Sequence, residues 1–257
     1  MRTTTPLRTL GLIAVAALLS AAACDDGNGT ATEPATPQDL DETARVVGAL
    51  MAAEQGGDLA TVRDGVMTAQ AKSSGGFSLD VSGVFVGQHL GLAYDVALEC
   101  YDDDGGALTC GEGDTASADL MATWSGELNI GGLSVASALS GDWMLDGLDE
   151  AVATANGGAS ATLDVLLTHD GQRRSLRVAF AGSYDDVLVD TSTHHAIGGT
   201  VTYALDVERR TTTSQGERVA SFSADAVVTL GADRTATLVL SGSRYRVDLA
   251  TGDVDPM

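Results

Sequence analysis

The chain has 257 residues, with 36 acidic against 14 basic side chains and a net charge of −22 at neutral pH. A surface this negative repels nucleic acid and anionic lipid headgroups, which argues against both as partners. Aromatic residues make up only 4%, so the core must rest mainly on Leu, Val and Ala, and the length suits one large or two small domains.

Arg2 and Arg8 precede and flank an apolar run, Leu10 to Leu19, followed by Ser20-Ala21-Ala22-Ala23 and Cys24. A basic start, a short apolar stretch and small residues before a cleavage point form an export signal. Ala21-Ala22-Ala23-Cys24 resembles the lipobox of bacterial lipoproteins. The resemblance implies cleavage before Cys24, diacylation of its thiol and anchoring to a membrane of the cell envelope, with the domain in the periplasm or at the cell surface. Ala21-x-Ala23 also suits an ordinary signal peptidase, which would leave a secreted protein with a free thiol. A retained helix would have 14 residues, Leu10 to Ala23, against the roughly 20 needed to cross a bilayer. Removing residues 1–23 leaves 234 residues and, with Arg2 and Arg8 gone, a net charge of −24. The cysteines favour acylation. An odd free thiol is unusual in an exported protein, and modifying Cys24 leaves Cys100 and Cys110 as a pair.

Residues 24–36 carry no large apolar side chain, so they are expected to form a flexible linker behind the lipidated cysteine. A helical segment over 37–74 follows. Thr36-Pro37-Gln38-Asp39 reads as an N-cap, a proline at the first helical position and an acid at the third. Leu40, Ala44, Val47 and Met51 then recur at helical spacing up to Gly56-Gly57. A second helix is expected from Asp58 to Lys72, with Leu59, Val62, Val66 and Ala69 on one face.

From residue 75 to 257 the period drops to two. Leu90, Leu92, Tyr94, Val96 and Leu98 alternate with small or polar residues, as do Leu120-x-Ala122-x-Trp124, Val201-x-Tyr203-x-Leu205-x-Val207 and several later runs. About ten strands result, apolar on one face and wet on the other, which means antiparallel pairing. Asp170-Gly171, Gly231-Ala232-Asp233 and Thr251-Gly252-Asp253 are hairpin-type turns. The expected fold is mainly β: an antiparallel meander curled into a barrel, half-barrel or sandwich, with the N-terminal helices packed on it. In its order of elements this outline is similar to the periplasmic lipoprotein carriers and their outer-membrane receptor. That similarity implies a curved sheet around an apolar cavity for acyl chains.

Few residues announce chemistry. Cys100 and Cys110 flank an acidic turn and are expected to form a local disulfide in an oxidising compartment. Asp102, Asp103 and Asp104 inside that loop are hard oxygen ligands, so calcium is weighed there against a plain solvated turn, which is the commoner use of such residues. Nucleophile-elbow, zinc-protease and phosphate-loop motifs are absent from the sequence, and His89, His169, His194 and His195 lack metal-ligand spacing. Arg173-Arg174 and Arg209-Arg210 read as solvent-facing strand ends. No cofactor or catalytic residue is expected. The leading expectation is a non-catalytic envelope lipoprotein with structural or protein-interaction roles, held to the membrane by its lipid anchor. The alternatives are a carrier or sensor of an apolar ligand, and a hydrolase or metal enzyme with a dispersed site.

Overall fold

The computed structural model describes residues 31–54, 57–70, 77–79, 85–89, 92–111, 114–130, 133–169, 172–213 and 216–257. The segment expected to be an export signal, residues 1–23, and Cys24 lie outside them. After a two-residue strand β1 (Ala31–Thr32) come α1 (Pro37–Met51) and α2 (Asp58–Ala69). The sheet then runs through β2 (Phe77–Leu79), β3 (Phe85–His89), β4 (Leu92–Tyr101), β5 (Ala107–Leu108), β6 (Ser117–Ile130) and β7 (Leu133–Asp146). It continues with β8 (Val152–His169), β9 (Gln172–Asp190), β10 (Ala196–Thr213), β11 (Gly216–Leu230), β12 (Thr235–Leu240), β13 (Ser243–Asp248) and β14 (Val254–Pro256).

The helices start where local chemistry dictates. Thr36 caps α1: its hydroxyl accepts the Asp39 N–H at 3.2 Å, while its own N–H donates to Asp39 Oδ2 at 2.9 Å, a reciprocal capping box. Pro37 follows at the first helical position, where its missing N–H costs nothing. α1 ends at Met51, earlier than the Gly56-Gly57 pair suggests. The turn after β13 competes for the backbone there, since the Ala53 N–H donates to the Leu249 carbonyl at 2.8 Å. Gly57 serves instead as the N-cap of α2.

The strands form one antiparallel meander, ordered β14-β13-β12-β11-β10-β9-β8-β7-β6-β4-β3-β2; off this path, β5 pairs antiparallel with β4 and β1 pairs parallel with β11. Its two ends, β14 and β2, are not paired with each other, so the sheet is open. Even so it curls. α1 touches β12, β13 and β14, whereas α2 touches β4, β6 and β8, and the two helices touch each other. From β4 to β13 a flat sheet would span roughly 38 Å at ordinary strand spacing. Two helices side by side cover only about 20 Å. Contact with both ends therefore requires a half-barrel wrapped around the helix pair.

Bulges help the bend. Register shifts occur between Ala155 and Gly157 in β8 and around Gly198 in β10. Gly199 adopts φ +102°, and a Cβ there would lie 2.3 Å from the Asp186 carbonyl oxygen, so only glycine fits. The inner face follows the sequence alternation: Leu120, Trp143, Leu145, Val165, Val178, Tyr203 and Val228 are buried in the same core as Val47, Met51, Val62 and Val66 of the helices. No helix among the described residues is long and apolar enough to cross a membrane.

One expectation needs correcting. The end of the presumed linker is docked: Ala31 and Thr32 pair with Ala220 and Ser221 of β11, and the Glu33 N–H donates to the Ser221 carbonyl at 3.0 Å. Charge supplies the reason, because the Glu33 carboxylate pairs with both Arg209 and Arg218. A segment without apolar side chains can still be held by ion pairs and a strand edge.

Candidate functional site

The curl brings one ionisable group into the middle of the apolar interior. Asp58 opens α2 and is fully buried. Its Oδ2 accepts the Tyr184 hydroxyl at 2.6 Å and the Tyr203 hydroxyl at 3.3 Å, and the two hydroxyl oxygens stand 3.4 Å apart. The Tyr203 hydroxyl also approaches Met51 Sδ at 2.9 Å, which ties α1 to the same point. β9 and β10 supply the phenols from adjacent inner-face positions, and helix order supplies the carboxyl.

Burial raises the Asp58 carboxyl to about 7, with the two tyrosine hydrogen bonds pulling the other way. Tyr184 and Tyr203 are pushed well above the ordinary phenol range, by burial first and then by the Asp58 charge, so both stay protonated donors. Around them lies an aromatic belt. Trp143 meets Tyr184 edge-on at 5.7 Å, Phe180 meets Tyr203 edge-on at 5.5 Å, and Tyr94 tilts against Trp124 at 5.3 Å. Asp58 Oδ1, Thr61 Oγ1 and the indole nitrogens of Trp124 and Trp143 are buried without a hydrogen-bond partner among the described residues. Chemically, this site can take up or release one proton near neutral pH, and all three side chains are buried.

A second charged cluster fixes α1 at the rim. The Asp39 carboxylate is fully buried and accepts from Arg174 at 2.9 Å, from Arg209 at 2.6 Å and from the Thr36 hydroxyl at 2.7 Å. Burial alone would raise its pKa, but the Thr36 bonds and the Arg209 charge outweigh that and lower it. Glu42 pairs with Arg174 at 2.8 Å, yet burial still raises it. The solvent-facing reading of the arginine pairs is thus wrong for Arg174 and Arg209, whose side chains are only 13% and 15% exposed. Arg210, at 48%, does face solvent. Strand alternation explains the split, since adjacent residues of a strand point to opposite faces.

The residues singled out from sequence are dispersed. Cys100 and Cys110 are joined in a disulfide with Cα atoms 5.2 Å apart. Inside that loop the Asp102 carboxylate accepts the N–H groups of Asp104 (3.0 Å) and Gly106 (2.6 Å), which closes its own turn, while Asp103 and Asp104 are exposed. Among the described residues no three His, Cys, Asp or Glu side chains are grouped to hold a metal ion. His194 sits in a turn with φ +57° and its Nε2 lies 3.3 Å from Gln70 Oε1. His195 is held below the usual histidine range by burial and by Arg234. The side chains of His89 and His169 lie outside the described residues, as does Cys24. The Asp58 site escaped the sequence reading because its members are 126 and 145 residues apart. The available signal was weak: Tyr203 occupies an inner-face place in an apolar alternation, where a hydroxyl needs a partner. Comparison with protein-family models, with curated proteins and with solved structures finds no match.

Proposed function

We propose that this is a non-catalytic, lipid-anchored domain of the bacterial envelope that acts by protein interaction. The observation that carries the reading is the occupancy of the concave face. Val47, Met51, Val62 and Val66 of the two helices are 0% exposed against the sheet, so the interior is used for stability and recognition falls to the outside. The export signal, Cys24 and the oxidised Cys100–Cys110 pair are consistent with the location.

A second reading, a carrier of apolar ligands whose helical plug moves, draws support from the buried indole N–H groups of Trp124 and Trp143, which have no hydrogen-bond partner among the described residues. One experiment separates the two. Trp124 and Trp143 are the chain's only tryptophans, and both line the interior. Titration with a single-chain lysophospholipid below its micellar concentration is expected to leave their emission unchanged. A saturable spectral shift would overturn the interaction reading in favour of the carrier. Intact mass measurement of membrane-extracted protein tests the anchor: cleavage before Cys24 with added acyl chains is expected, and an unacylated mass with an alkylatable Cys24 would remove it.

A further inference from the structure

We propose that the outer face of β4, β6 and β7 is a docking surface for a basic, amphipathic polypeptide segment, an inference that rests on the interaction reading above. Charge is segregated along this chain. From Ser73 to Gln172 there is no lysine or arginine, but there are sixteen acids, while nine of the fourteen cations lie from Arg173 onward. The meander turns that segregation into geometry: no cation lies on β4, β6, β7 or β8, and every arginine of the sheet lies on β9 or beyond.

On the acidic half the outer face carries a checkerboard. Asp119 stands opposite Met144, and Met121 stands opposite Asp142, so two thioethers and two carboxylates alternate across β6 and β7. The methionines are 52% and 50% exposed, among the largest apolar side chains left in solvent. Asp95 and Glu99 of β4 extend the acidic surface, and both are exposed. A groove of about 550 Å³ over β4, β6 and β7 is lined by Met121 and Asp142, and a second of about 690 Å³, which shares Asp95, Thr123 and Ser140 with it, carries on across β8 to β9.

The chemistry selects the partner. Exposed methionines on acidic ground suit adaptable contact with aliphatic side chains, because the thioether is flexible and polarisable. The carboxylates steer and hold cations while rejecting phosphate-bearing surfaces. The short Ser, Thr and Ala side chains between them admit a polypeptide backbone closely. A basic segment with one apolar stripe meets both requirements at once.

The test uses the full-length protein in phosphatidylcholine nanodiscs, with empty nanodiscs as the blank. The probe is a fluorescein-labelled Lys/Leu amphipathic peptide about five turns long, read by anisotropy. D119N/D142N is expected to weaken binding about tenfold, and M121S/M144S about fivefold with no charge changed. D185N/D225N removes the same charge from the outer faces of β9 and β11 and is expected to change it less than about twofold. Equal loss in both charge pairs would reduce the effect to net charge and overturn the proposal. So would an unaffected M121S/M144S, or spermine competing as tightly as the peptide. A tryptophan shift with lysophospholipid would sink the interaction reading without touching this peptide result, so the two failures are distinguishable.

Discussion

Tyr184 donates its hydroxyl proton to the fully buried carboxylate of Asp58 across 2.6 Å, linking the inner face of β9 to the first turn of α2. The pair places a titratable group at the seam between the helix plug and the sheet. Tyr203 of β10 reaches the same carboxyl and its hydroxyl also meets Met51 Sδ of α1, so the cluster links four elements.

That carboxyl makes stability depend on pH. Its folded pKa of about 7 stands above the unfolded value of about 3.9, so the folded state keeps a proton that the unfolded chain loses between those values. The contribution is full below about pH 4 and is lost as pH rises through about 7, at roughly 1.4 kcal/mol per pH unit. Asp58→Asn keeps an acceptor for Tyr184 and carries no proton. Urea unfolding at pH 5, 6, 7 and 8 is expected to show the variant gaining on the wild type at each step up to about pH 7. Parallel curves for the two proteins would refute the assignment.

The rim cluster predicts a large effect from one small side chain. Asp39 caps α1 and neutralises two arginines that are themselves mostly buried, so Asp39→Ala leaves both guanidinium groups short of a partner and removes half the capping box. A loss of about 3 kcal/mol is expected. Glu208→Ala breaks the half-exposed pair with Arg210 instead and is expected to cost less than about 0.5 kcal/mol. Equal values in chemical denaturation would show that burial is not what gives the Asp39 cluster its strength.

Much of this architecture is legible in the sequence, and the reasons are local. Leu120, Ala122 and Trp124 alternate because one face of β6 is dry, and all three are buried. Thr36-Pro37-Gln38-Asp39 encodes its own cap. Cys100 and Cys110 bracket a turn short enough to staple. What the sequence hides is set by distant partners. Arg174 and Arg209 read as surface cations until α1 brings Asp39 and Glu42 over them. Asp58 reads as an ordinary first-turn acid until the sheet curls and presents Tyr184 and Tyr203 to it. Whether the sheet closes is likewise beyond a period-two pattern, because it depends on how much width the helices fill.

Helix–sheet approach gives another test. A Cβ at Gly48 would lie 2.5 Å from the Gly252 carbonyl oxygen, so α1 could accept a methyl only by moving off the turn before β14. At Gly65 the obstacle is the end of the Leu120 side chain, 2.6 Å away, which can rotate. Alanine gains up to about 1 kcal/mol of helix propensity at either place. Gly65→Ala is expected to be near neutral, and Gly48→Ala to lose about 1–2 kcal/mol net, because backbone cannot yield as a side chain does. Thermal unfolding of both variants at one pH decides it. A stabilised Gly48→Ala would mean that the approach of α1 to that turn is looser than described.

The disulfide acts on a different term. The Cys100–Cys110 bond closes a ten-residue separation between β4 and the loop after β5, so it removes little conformational freedom from the rest of the chain. In the loop-entropy view a link this short stabilises by about 3 kcal/mol, through the unfolded state. Cys100→Ala/Cys110→Ala avoids burying a hydroxyl at the Cys100 position, which is 1% exposed. The pair is expected to lower unfolding free energy by about that amount with an unchanged denaturant slope, since the surface exposed on unfolding barely changes. A smaller slope would point instead to native structure lost around β4 and β5, and the staple would then be holding the edge of the sheet rather than restricting the unfolded chain.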